Sequence, residues 1–283
     1  MRWQGMRQSR NIEDRRGASP GFRMGMGGGG FRTGGLGLGG LLVLLVLGWI
    51  MGVNPLTLLD GGGGAYVDQP VAPGLAPGSD DTSKMVAGVL GDTEDTWTQV
   101  FATEGLRYPA PTLVLFNDAV QSACGYSSAA VGPFYCPRDR KVYIDLSFFQ
   151  ELDRRFGAPG DFAQAYVVAH EVGHHIQNVL GLLGRQAGLT QTEANALSVQ
   201  QELQADCLAG MWGRSAGGRN HLESGDVEEG LRAAAAIGDD RIQQRTRGRV
   251  VPESFTHGSS AQRVDAVRQG LSSSSLAGCG VQR

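Results

Sequence analysis

The chain has 283 residues and a formal net charge of −3, with 25 Lys and Arg against 28 Asp and Glu. So even a balance gives no basis for nucleic-acid binding or for an acidic substrate. Gly accounts for 44 residues and crowds the first eighty positions, where aromatics are few, so the core is expected in the later part of the chain.

Residues 1–33 are basic and Gly-rich without apolar periodicity, and they predict a disordered cytoplasmic arm. The arm carries seven arginines (2, 7, 10, 15, 16, 23 and 32) against Glu13 and Asp14 alone. Between Arg32 and Asp60 follow 27 residues with no charge, including Leu41–Leu47, and they predict a transmembrane helix at 34–56. The positive-inside rule then leaves residues 1–32 in the cytoplasm and everything after Asp60 outside the cell membrane. A cleaved signal peptide competes with this reading, against an apolar region and a preceding arm that are both long for one. Residues 57–81 read as a Gly/Pro-rich linker, and 82–283 as one folded domain.

Within that domain, Lys84–Glu104 has the pattern of an amphipathic helix and Pro111–Phe116 that of a buried strand. Lys141–Leu146 alternates as a half-buried strand, either an edge that pairs with an extended peptide or an ordinary member of a sheet. Ser147–Phe156 begins another helix. Asp161 with Gln164 three residues later predicts the N-cap of a helix ending near Gly181–Gly184, and Thr190 with Glu193 opens the next, running to about Gly213.

The first of these two helices carries His170-Glu171-Val172-Gly173-His174. Histidines four apart lie on one helical face, so both can bind one Zn²⁺, and Glu171 is placed to take a proton from a water polarised by the metal. A third protein ligand is expected. Leu180 stands where a third histidine of the H-E-x-x-H-x-x-G-x-x-H pattern would fall, with Gln177 at its glycine. Glu202 and Asp206 share a face of the following helix, and they are assigned as zinc ligand and as acceptor of a ligand histidine's free N–H. A solvated face with two acids is the plain alternative.

A Glu followed by Ala-Asp, one helix after H-E-x-x-H, resembles the gluzincin metallopeptidases. Cys124–Pro137, Lys141–Phe149, His170–Gln177 and Glu202–Gly210 are together similar to one bacterial family, the neutral zinc metallopeptidases anchored by an N-terminal membrane helix. The resemblance covers roughly Asp81 to the C-terminus. It implies one zinc per chain, peptide hydrolysis and a mostly helical α+β, gluzincin-like domain with a small β-sheet, preceded by one transmembrane helix. A Thr-His-Gly segment with a downstream Arg also occurs in related membrane gluzincins, which points to His257 as the catalytic oxyanion donor, or to Arg263. Tyr126 and Tyr135 are weaker candidates, His175 faces away from the ligand pair, and His221 is expected in solvent.

Cys124 and Cys136 flank a short Gly/Ser/Pro-containing stretch that a disulfide could close, leaving Cys207 and Cys279 as a second pair or as free buried thiols. An even count suits an oxidising compartment. The expected partners are a peptide or protein substrate and the lipid bilayer. Two other functions stay open: a non-catalytic zinc-binding envelope scaffold, and a zinc amidase acting on cell-wall peptides.

Overall fold

The computed structural model describes residues 1–17, 80–184 and 188–281; the expected transmembrane helix and nearly all of the linker lie outside them. Among the described residues no helix is long and apolar enough to cross a membrane. In chain order the elements are β1 (Ile12–Asp14), α1 (Asp81–Thr103), β2 (Thr112–Phe116), β3 (Ala119–Ser122), β4 (Gly125–Ser128), β5 (Phe134–Cys136), β6 (Lys141–Asp145) and α2 (Ser147–Arg154). They continue with α3 (Asp161–Val179), α4 (Gln191–Gly218), α5 (Asp226–Ala236), α6 (Asp239–Arg247) and α7 (Ser260–Ser272). Among the described residues helices thus dominate, with one small four-stranded sheet and a β3–β4 hairpin.

The sheet runs in the order β1-β2-β6-β5, parallel across β1, β2 and β6 and antiparallel between β6 and β5. Leu113–Phe116 and Val142–Asp145 are buried without alternation, as parallel strands covered on both faces are. Lys141–Leu146, expected to be half-buried, is therefore interior because it has a neighbour on each side. β5 is the edge instead.

The N-terminal residues are the main departure from expectation. Residues 1–17 are no disordered arm, and the folded unit does not begin at residue 82. β1 adds to the sheet in register with β2, Ile12 opposite Leu113. Met1 and Met6 are buried in the main core, the Arg2 N–H donates to the His221 carbonyl, and the Ser9 N–H donates to the Ala87 carbonyl. Glu94 accepts from the Ser9 hydroxyl at 2.6 Å, from Asn11 Nδ2 at 2.7 Å and from Arg7 Nη2 at 2.9 Å. Backbone ladders and ion pairs hold this segment, and neither leaves an apolar period to read.

The helix ends show which local signals held. Asp80 caps α1 through the Ser83 N–H at 2.9 Å, and the Thr190–Glu193 capping box opens α4, which continues past Gly213 to Gly218. Asp161 is not the cap of α3. Gly160 is, at a φ of 122°, while Asp161 is the first helical residue and binds the α-amino group of Met1 at 2.7 Å. That contact takes the carboxylate expected to cap the helix.

α3 and α4 cross in close contact at Gly173, where a Cβ would lie 2.9 Å from the Ala205 carbonyl oxygen and 3.0 Å from its Cα. Only glycine allows this approach without displacing backbone. Both disulfides form. Cys124–Cys136 joins the β3–β4 turn to β5, and Cys207–Cys279 ties the C-terminal segment to α4. In the chain-entropy account the second, closing 72 residues, contributes about 4 kcal/mol.

Candidate metal centre and active site

Helical spacing places His170 and His174 on one face of α3, and the close crossing at Gly173 brings α4 within reach of both. His170 Nε2 lies 3.2 Å from Glu202 Oε2, and His174 Nε2 lies 3.4 Å from Glu202 Oε1. One donor atom from each of the three residues falls within 4.8 Å of the others. Ligands about 2.0–2.1 Å from a tetrahedral zinc would stand about 3.3–3.4 Å apart, so these residues fit the metal.

The outward nitrogen of each histidine is fixed by a partner. His170 Nδ1–H donates to Asp206 Oδ1 at 2.8 Å, and His174 Nδ1–H donates to Gln177 Oε1 at 2.9 Å. Both imidazoles are thereby held in the tautomer that leaves Nε2 free for a metal. Gln177 is fully buried and is itself held by the Gln201 carbonyl at 2.7 Å and by Gln204 at 3.1 Å. Its role could have been read from its position three residues after His174.

Asp206, expected to accept from a ligand histidine, has 0 % exposure and three further contacts. Arg263 grips it with Nε at 2.8 Å and Nη2 at 3.0 Å, and the Tyr166 hydroxyl donates to Oδ1 at 2.5 Å. Burial alone would raise its pKa, but Arg263 and His170 outweigh that and hold it down at about 2. Arg263 is thus committed behind the histidine, and this contact accounts for its burial better than an oxyanion role does.

Charge in the cluster is arranged to hold a cation. Burial disfavours the imidazolium of His170, yet Asp206 and Glu202 overcome it and lift the pKa to about 10. Glu202 moves the other way: burial is outweighed by the two histidines, and its pKa falls well below the usual carboxylate range. Burial pushes the Glu171 carboxyl up, against the pull of His174 and His170, as suits a group that must take up a proton.

His170, Glu171, His174 and Glu202 line a cavity of about 600 Å³. The edge strand β5 contributes Phe134 and Tyr135 to it, and Phe148, Phe156, Ile237 and Ile242 give it an apolar wall. His257 lines the same cavity with its side chain half exposed. Asp239 steadies it, accepting from His257 Nδ1 at 3.2 Å and from the backbone N–H groups of Thr256, His257 and Gly258.

The other candidates fall elsewhere. The Tyr135 hydroxyl lies 3.0 Å from His175 Nδ1 and accepts from Asn178 Nδ2 at 2.8 Å, so it locks β5 onto α3. His175 is fully buried, with Nε2 on the Pro109 carbonyl and its pKa lowered by burial to about 4. Tyr126 is 72 % exposed and lies outside the cavity lining. His221 is not free in solvent but partly buried, 3.4 Å from Asp92.

Known proteins share this arrangement of sequence. Over residues 1–281 the chain matches the family described as "Putative neutral zinc metallopeptidase". It is 48 % identical over 288 residues to "Uncharacterized protein YpfJ" of Escherichia coli K12, covering 99 % of this chain and 98 % of that one. It is 42 % identical over 235 residues to "Uncharacterized protein Mb2605" of Mycobacterium bovis and to "Uncharacterized protein Rv2575" of Mycobacterium tuberculosis, covering 76 % of this chain and 78 % of each of those. No solved structure matches it. The chain belongs to the neutral zinc metallopeptidase family.

Proposed function

We propose that this protein is a zinc-dependent endopeptidase attached to the membrane by its uncharged run, with its catalytic body outside the cytoplasmic membrane. The observation that carries the reading is the convergence of His170, His174 and Glu202 on one point of a cleft that Glu171 also lines. Zinc held by those three residues would supply a Lewis acid that polarises a water and the scissile carbonyl.

Glu171 takes a proton from the water as its oxygen attacks the carbonyl carbon, and later delivers that proton to the leaving amide nitrogen. A C–O and an N–H bond form while an O–H bond and the peptide C–N bond break. Asp206, pinned by Arg263, keeps His170 in its ligand tautomer, and Gln177 does the same for His174. His257, oriented through Nδ1 by Asp239, presents Nε2 to the oxygen on which negative charge develops. β5 has no strand on its outer side among the described residues, and its backbone can pair with an extended peptide laid along the cleft. An internal segment of chain fits such an edge. The two disulfides support an oxidising compartment for the body.

The test compares degradation of an unfolded protein by the full-length chain and by Glu171→Gln. Cleavage by the first alone, with zinc bound to both, supports the reading. Zinc on both with cleavage by neither would favour a non-catalytic scaffold.

A further inference from the structure

The N-terminal segment and the body are one folded unit, while the run between them has the composition of a membrane segment. Residues 1–16 are fixed along their length, from Met1 at Asp161 to the Arg16 carbonyl, which accepts from Asn117 Nδ2 at 3.0 Å. Where the chain leaves the described unit and where it returns, Arg16 Nη1 and Asp80 Oδ2 meet at 2.8 Å. Both ends of the intervening 62 residues, 18–79, therefore start from one spot on the body.

A single crossing of a bilayer would put these ends on opposite faces. Two crossings need about 40 apolar residues, because each spans about 20. The uncharged run between Arg32 and Asp60 has 27. One crossing contradicts the packing, and two exceed the length. We infer that residues 1–17 and the catalytic body lie on the same side of the membrane. Exchange of the N-terminal segment between two copies of the chain would carry the same requirement.

Of the seven arginines that otherwise argue for a cytoplasmic N-terminus, Arg7, Arg15 and Arg16 are paired with carboxylates in the folded unit. Arg7 pairs with Glu94 and Asp95 at 2.9 and 2.7 Å, Arg16 with Asp14 and Asp80, and Arg15 with Glu13. Gly91 shows how closely the segment is seated, since a Cβ there would lie 2.0 Å from the Arg7 carbonyl oxygen.

All four cysteines are in disulfides, so an introduced cysteine is the one free thiol of the chain. Arg10 and Arg268 are exposed positions, on the N-terminal segment and on α7. Arg10→Cys and Arg268→Cys, each in the full-length chain in the membrane of bacterial spheroplasts, are treated with a membrane-impermeant maleimide before and after lysis. The expected result is the same side for both, with labelled fractions before lysis in a ratio near one. Labelling of both only after lysis would uphold the shared side while overturning the placement of the body outside the membrane, so the two readings fail separately. Labelling of one position before lysis and of the other only after it would overturn the inference.

Discussion

Asp206 stands 2.8 Å from His170 Nδ1, fully buried, and in the proposed zinc site the orientation of His170 depends on that contact. It sets the imidazole tautomer, and Arg263 keeps the carboxylate charged where burial would otherwise protonate it. Asp206→Asn keeps the shape and removes the charge. A 10- to 100-fold loss of zinc affinity, on the order seen when such partners of ligand histidines are removed, is expected in a chelator competition. Arg263→Met leaves Asp206 buried without its cation and should cost about 3–5 kcal/mol in denaturant unfolding.

Gly173 lets α3 and α4 approach, and that approach brings Glu202 to the histidines. Gly173→Ala forces the Ala205 backbone away from a contact of 2.9 Å. A destabilisation of about 1–3 kcal/mol is expected, as for other overpacked sites. Zinc affinity should fall with it. Unchanged affinity measured by the same competition would show that the crossing does not set the ligand spacing.

In the proposed mechanism His257 acts on the developing charge and not on the metal. His257→Ala should lower kcat by about 10²–10³-fold, the usual cost of an oxyanion donor, with KM and zinc content nearly unchanged. A rise in KM alone would assign His257 to substrate binding.

Acid should loosen the N-terminal segment. Arg16 holds Asp14 below the usual carboxylate range, and Lys141 and Arg15 do so for Glu13 against its burial. Burial of Asp80 is outweighed by the Ser83 N–H and by Arg16, which hold it at about 2. Groups whose folded pKa is depressed stabilise the fold above their unfolded values, roughly pH 4, and lose that contribution as pH falls towards the folded values. An environment-sensitive dye on Arg10→Cys should therefore report undocking between about pH 4 and pH 2, before a dye on Arg268→Cys responds. Arg16→Gln should weaken docking at neutral pH and flatten that dependence. A chain begun at residue 81 would lack β1, Met1 and Met6, and should aggregate.

The legible parts of the sequence were those set by local geometry. Residues four apart share a helical face in any fold, so His170 with His174 and Glu202 with Asp206 could be paired before any contact was known. The capping box at Thr190 and the short span from Cys124 to Cys136 were equally local, whereas Cys207–Cys279 followed only as the remaining pair. The role of Arg263 depends on how α7 crosses α4, which no spacing encodes. β1 was illegible for a related reason. Ile12 is its one apolar residue, and a parallel partner a hundred residues away supplies the hydrogen bonds. Arg7 and Arg16 read as membrane-orienting charge because Glu94 and Asp95 for the first, and Asp80 for the second, are brought to them by the fold.

The central claim is that His170, His174 and Glu202 form a single zinc site. Crystals of the zinc-loaded full-length chain, with data collected across the zinc absorption edge, test it most directly. One anomalous peak per chain, about 2.0–2.1 Å from each histidine Nε2 and about 2.0–2.2 Å from a Glu202 oxygen, is the predicted result. A peak without Glu202 in its coordination, or one among Asp161, Asp226 and Glu229 where the Met1 amino group binds, would contradict it.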